Sequence, residues 1–175
     1  MSDPTNKNHK YSTALFWDGA KTGGTTDYRT YNRQYKIRIK NKPDLIGSSD
    51  PVFLGDAALY NPEDLFVASL SACHLLTYLA ECARNRIVVL NYEDEASGTL
   101  VLDNKGGGKF TEVTLRPLVT IAEGSDEELA LKLHDESHKR CFVASSVSVP
   151  VNHEPVIRVD HNVKTAAATE IRART

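Results

Sequence analysis

The stretch "NPEDLFVASLSACHLLTYLAECAR", residues 61–84, constrains the fold more than any other part of this chain. Asn61 is a capping residue, Pro62 suits a first helical turn, and Glu63 and Asp64 put acids at the positive end of the helix dipole. From Leu65 to about Arg84 the run is apolar on nearly every side. A helix of that kind must be enclosed by sheets or by a partner subunit. The 175 residues are enough for one domain with a real core.

The covering layers can be read from the flanks. Residues 11–17 suit a strand and 18–26 a glycine-containing turn. Residues 28–40 alternate, with Arg29, Tyr31, Arg33, Tyr35, Ile37 and Ile39 on one side and Arg38 among the polar residues on the other. The loop 41–60 is long for a compact domain, which points to a functional or interface role. Two strands over 86–102, a glycine turn at 103–109 and an alternating strand over 110–122 follow. A helix over 125–141 opens on a capping box of Ser125 and Glu128. Residues 147–151 and 155–160 read as closing strands. The order β-β-α-β-β-β-α-β-β predicts an α+β fold with largely antiparallel sheets. Residues 1–9 read as a flexible leader, 10–162 as a single domain and 163–175 as a polar tail.

A net charge of −2 gives no basic surface for nucleic acid or anionic lipid. The uninterrupted apolar run, Leu65–Ala80, contains Ser69, Ser71, His74 and Thr77 and falls short of the roughly 20 residues a membrane span needs. The polar N-terminus shows no signal-peptide pattern, and three cysteines do not make a disulfide framework. The expectation is a cytoplasmic protein with free thiols.

Cys73 and Cys82 are nine residues apart, on opposite faces of a helix and about 13 Å apart along it. They are too distant to bridge each other, and Cys82 reads as a small core hydrophobe. Spacing leaves open whether Cys141 meets Cys73. Side chains at Cys73 and His74 diverge by about 100°, which argues against a catalytic dyad and leaves His74 as a satisfied helix residue. His134, His138 and Cys141 share a helix face and could hold zinc, but no fourth ligand presents itself. Arg33, on the apolar side of its strand, needs either a carboxylate partner or a role in supplying positive charge to a thiol.

Together, "NPEDLFVASLSACHLL" (61–76) and "SHKRCFVASSVSVPV" (137–151) resemble the two signature blocks of the OsmC/Ohr family of hydroperoxide reductases. Asn61, Pro62, Glu63, Leu65, Ala68 and Cys73 match the first block; His138 and Cys141 match the second. The resemblance spans about residues 11–160. Phe142 replaces the usual proline after the second cysteine, and Thr25 follows the Gly23-Gly24 turn where the Ohr branch has its arginine.

The resemblance implies antiparallel sheets around a long buried central helix, in an intertwined homodimer with active sites at the subunit interface. Cys73 would be the peroxidatic thiol and Cys141 the resolving one. Glu63 and a strand arginine would form the polar network around Cys73, with Arg33 the first choice and Arg29 the second. The implied reaction is reduction of an organic hydroperoxide, favoured by apolar Phe66, Leu70 and Phe142. An external dithiol would restore the thiols, and no metal, flavin or haem is required. A non-catalytic small-ligand-binding or stress-associated dimer and a zinc hydrolase are the alternatives. Glu63 and Cys73 lie about 15 Å apart on a straight helix. That separation calls for a helix break between Ala68 and Ser71, an arginine that spans the gap, or a Glu63 from the other subunit.

Overall fold

In the computed structural model, which describes residues 8–164, the apolar stretch forms one unbroken helix, α1 (Pro62–Arg84). The Asn61 side-chain carbonyl accepts the Asp64 N–H at 2.7 Å, and the Asp64 carboxylate accepts the Asn61 N–H at 3.3 Å. This reciprocal pair satisfies donors that a helix start otherwise leaves open. Of the three ways of bringing Glu63 to Cys73, the helix break between Ala68 and Ser71 is absent. Residues 1–7 and 165–175, which hold most of the expected leader and tail, lie outside the described residues.

α1 buries one stripe, Leu70, His74, Tyr78, Glu81 and Cys82, while Leu76 is 67% exposed. Its 23 residues are long and apolar enough to cross a bilayer by length and composition alone, which the shorter count over 65–80 did not show. The buried stripe, however, carries Glu81 and His74, whose partners are protein groups.

The described residues divide into two compact units at Leu65/Phe66, within α1. In the first, β1 (Ala14–Trp17), β2 (Tyr35–Arg38) and β3 (Leu45–Gly47) form an antiparallel sheet in that order. The strand expected over 28–40 is reduced to β2. Side chains compete for its backbone: the Asp27 carboxylate accepts the Arg29 N–H and the Asn32 side chain accepts the Gln34 N–H, each at 2.8 Å. Arg33 therefore sits in the loop before β2. The long loop supplies β3 and a short 3₁₀ turn, Pro51–Phe53, capped by Asp50.

The second unit adds β4 (Val89–Asp94), β5 (Ser97–Leu102), β6 (Gly108–Leu115), β7 (Pro117–Glu123), α2 (Glu127–Arg140), β8 (Val151–His153) and β9 (Val156–Lys164). Two sheets result, β4-β7-β9 and β5-β6-β8. β4–β7 and β5–β6 are antiparallel, but β6–β8 and β7–β9 are parallel, because α2 serves as the crossover between them. The pairings are largely antiparallel, as expected, with these two parallel ones making both sheets mixed. The strand expected over 110–122 divides at Arg116-Pro117. Pro117 has no N–H to give a ladder, and the Arg116 N–H turns to the Asp94 carboxylate at 2.6 Å. The cap of α2 also moves by one residue. Asp126 accepts the Leu129 N–H at 2.9 Å, while the Ser125 hydroxyl accepts the Val88 N–H.

α1 serves both cores of this unit. Tyr78 and Cys82 pack with Ile87, Val119, Ile121, Ala130 and Leu133; Leu70 packs with Val113 and Leu115. Leu70 is fully buried, so Leu70→Ala should lower the free energy of unfolding by about 3 kcal/mol in a urea titration. A loss below about 1 kcal/mol would mean that the second cluster does not pack as described.

Candidate active site

Helical spacing fixes where the first cysteine points. α1 carries Cys73 one residue outside the buried stripe, so its side chain is part-exposed. Cys141 is the C-cap of α2 and is 1% exposed. The helix end brings it back to α1, and the Cys141 Sγ donates to the Cys73 Sγ at 2.7 Å. Both are free thiols. Burial, and then the hydrogen bond it gives to Cys73, push the Cys141 thiol above its ordinary range. Cys141 therefore keeps its proton and presents it to Cys73. The Ala144 N–H points at the Cys141 Sγ at 3.4 Å and opposes part of that rise. Cys82 lies elsewhere, 1% exposed in the first core cluster, with its thiol pushed up to about 11 by burial.

Cys73 opens onto a cavity of about 790 Å³. Its wall includes Ala72, Leu76, Ala80 and Phe142, the last 83% exposed. Its far end is ionic. Glu81, only 5% exposed, accepts from the Arg84 guanidinium at 2.7 Å and from the Arg140 guanidinium at 2.8 Å, both on one carboxylate oxygen. The sequence reading missed this group. Its signal was present: Thr77, Glu81 and Arg84 follow Cys73 at helical spacings that share a face, and Arg140 directly precedes Cys141.

A set of stacked rings lies beside α1 and α2. His74 Nε2 and His134 Nδ1 are 3.0 Å apart, and Tyr78 stacks on His134 with centroids 3.8 Å apart. His153, bonded to Asp135 at 2.9 Å, lies 5.7 Å from His74 and 5.3 Å from His138, centroid to centroid. A single proton serves the His74–His134 contact. Among the described residues, His74 Nδ1 and His134 Nε2 are buried without a hydrogen-bond partner, so one N–H and one lone pair go unmatched there whichever ring donates. The expected satisfied His74 is thus satisfied at one nitrogen only. His134 is fully buried. No group of three His, Cys, Asp or Glu side chains suited to a metal ion occurs among the described residues.

The other expected site residues divide between the units. In the second, Phe142 lines the cysteine cavity, but Leu70 does not: it is fully buried in the core and has no surface to offer a substrate. Phe66 packs 4.8 Å from Phe110 and lines a different cavity, of about 550 Å³. In the first unit, the Arg33 guanidinium donates to the carbonyls of Tyr31 at 2.9 Å and Tyr28 at 2.5 Å. It lies 3.9 Å over the Tyr31 ring. It forms no ion pair with Glu63 among the described residues, so the expected carboxylate partner is replaced by carbonyls and aromatic faces. Glu63 acts instead on Tyr35, whose phenol is raised mainly by burial and further by this carboxylate. Arg29 is exposed in the turn that Asp27 holds.

With this geometry in place, the comparisons with known proteins agree. Residues 55–154 match the family model described as OsmC-like protein, and the chain belongs to the OsmC-like family. It is similar in structure to an OsmC-like protein of unknown function from Vibrio cholerae. The TM-score is 0.78 at 31% identity, over 85% of this chain and all of that one. An organic hydroperoxide resistance protein from Elizabethkingia anophelis shares the fold at 18% identity with a TM-score of 0.62, over 87% of this chain and 99% of that one. The organic hydroperoxide resistance protein OhrB of Bacillus subtilis does so at 19% identity and 0.54, over 87% and 98%. No curated protein matches the chain.

The buried imidazoles make stability depend on pH. Burial holds His74 down to about 4 and His134 to about 3, below the ordinary 6.5. Both are neutral in the folded chain, whereas the unfolded chain takes up protons as pH falls below about 6.5. Stability is therefore full above that pH and declines below it, by up to about 1.4 kcal/mol per pH unit for each ring. Thermal unfolding should show a midpoint that drops between pH 7 and pH 5, with a shallower drop for His134→Phe. A midpoint flat over this range would contradict the assignment.

Proposed function

We propose that this protein is a cysteine-based peroxidase that reduces organic hydroperoxides. The observation that carries the reading is the 2.7 Å contact in which Cys141 donates to a part-exposed Cys73, at the wall of an apolar-sided cavity. The Cys73 thiolate attacks the peroxide: an S–O bond forms, the O–O bond breaks, and the departing alkoxide takes a proton to leave as the alcohol. Cys73 is then a sulfenic acid. Cys141 condenses with it, forming the disulfide and releasing water. An external dithiol reduces this disulfide by exchange and is itself oxidised. Sulfur carries both electrons throughout, so the chemistry calls for no metal, flavin or haem. Free thiols suit the cytoplasm.

The family resemblance gives Arg33 and Glu63 the task of supporting the thiolate and the peroxide, and these roles are part of the same proposal. A second copy of the chain is proposed to cover the outward face of α1, where Leu76 is 67% and Leu79 36% exposed next to Phe142.

Thiol counting after one equivalent of cumene hydroperoxide tests the reaction. Wild type and Cys82→Ser should each lose about two thiols per chain, while Cys73→Ser should lose none. An inert wild type would favour the non-catalytic binding alternative, and loss of reaction only in Cys82→Ser would overturn the cysteine assignment. Arg33→Ala should slow the peroxide step near neutral pH and recover toward alkaline pH, as for a thiol that has lost cationic support. Light scattering should give twice the chain mass for wild type and a smaller mass for Leu76→Glu; a monomeric wild type would refute the dimer.

A further inference from the structure

Two contacts join α1 to the end of α2, and they use consecutive residues of α2. Cys141 meets Cys73, and Arg140 meets Glu81 at 2.8 Å. On α1 the two anchor points are eight residues apart, about 12 Å along the helix. The Glu81 carboxylate is 5% exposed, and the same oxygen also receives Arg84, three residues further along α1. Arg84 therefore pairs the buried carboxylate from within its own helix, whereas Arg140 ties it to the other helix. At Cys141 the chain leaves α2 with an extended backbone, φ −69° and ψ 113°, its N–H still on the His138 carbonyl at 3.3 Å and its own carbonyl accepting the Ser145 N–H at 3.0 Å. These bonds hold Cys141 to its own helix end and the turn that follows; the ion pair one residue earlier ties that end to α1.

We propose that Arg140, acting through Glu81, is a positioning residue for the resolving step: it holds the Cys141 sulfur against Cys73 so that the sulfenic acid closes to the disulfide before it meets a second peroxide. In that step the S–S bond forms, the S–O bond of the sulfenic acid breaks, and the hydroxyl leaves as water with the Cys141 proton. In competition, a second peroxide oxidises the sulfenic acid to the sulfinic acid and leaves as the alcohol. The two guanidinium groups meet the same oxygen, so removing either takes one positive charge from the same place. Of the two arginines, Arg140 is the one that reaches Glu81 from the other helix.

This inference rests on the proposed peroxidase reaction, but an equilibrium measurement tests it separately. The Cys73–Cys141 pair is titrated in dithiothreitol redox buffers for wild type, Arg140→Ala, Arg140→Lys and Arg84→Ala. A thiol pair held together forms its disulfide more readily. Arg140→Ala should therefore make the disulfide about tenfold easier to reduce, or about 30 mV less negative, with Arg140→Lys in between. Arg84→Ala should change the equilibrium less than about twofold. In each variant Glu81 keeps one arginine, and circular dichroism checks that the fold persists. With hydroperoxide, Arg140→Ala should reach half-maximal Cys73 sulfinic acid at a lower peroxide dose than Arg84→Ala. An Arg140→Ala equilibrium equal to wild type, or equal shifts from both alanine variants, would overturn the inference. A wild type that forms the disulfide in redox buffer yet ignores peroxide would sink the peroxidase reading instead and leave the clamp standing.

Discussion

The contact from the Cys141 thiol to the Cys73 sulfur organises what this molecule can do. It joins a helix midpoint to a helix end across 68 residues of chain, and each sulfur takes a different character from its place. Cys73, just outside the buried stripe of α1, can meet a solute. Cys141, almost fully enclosed at the C-cap, is held as the protonated partner. In the proposed reaction, exposure gives attack to Cys73 and enclosure gives resolution to Cys141.

The surroundings reinforce this division. On one side, the rings of Tyr78, His134 and His74 stack in the interior beside α1 and α2 as neutral side chains. Their burial makes the imidazoles resist protonation, so the region keeps its charge state through the physiological range. On the other side, the Glu81–Arg140 pair fastens the helix end that bears Cys141. A buried carboxylate is costly unless fully paired, and two guanidinium groups on one oxygen meet that cost. The cavity wall between these features is apolar, with Phe142 part of it.

Much of this was legible in the sequence. Asn61, Pro62 and Asp64 announced the start of α1, and the run that follows declared a helix needing partners. The two cysteine blocks located the thiol pair because residue type and order carried the signal. Misreadings arose where side chains or sequence-distant elements outweighed local pattern. Asp27 and Asn32 bent an alternating segment out of strand, which moved Arg33 into a loop. Pro117 divided a continuous alternation into two strands of different sheets. Leu70 looked like a pocket residue but faces the core, since hydropathy does not reveal which side of an apolar helix is covered. Glu81 with Arg140, and His74 with His134, each join residues about sixty positions apart, a separation that periodicity cannot bridge.

The most direct measurement of the central claim is peptide mapping under non-reducing conditions after exposure to a single equivalent of organic hydroperoxide. The account predicts one cross-linked species within a chain, joining the peptide that contains Cys73 to the one that contains Cys141, with Cys82 recovered as a free thiol. A link involving Cys82, or oxidised Cys73 with Cys141 left unpaired, would contradict it.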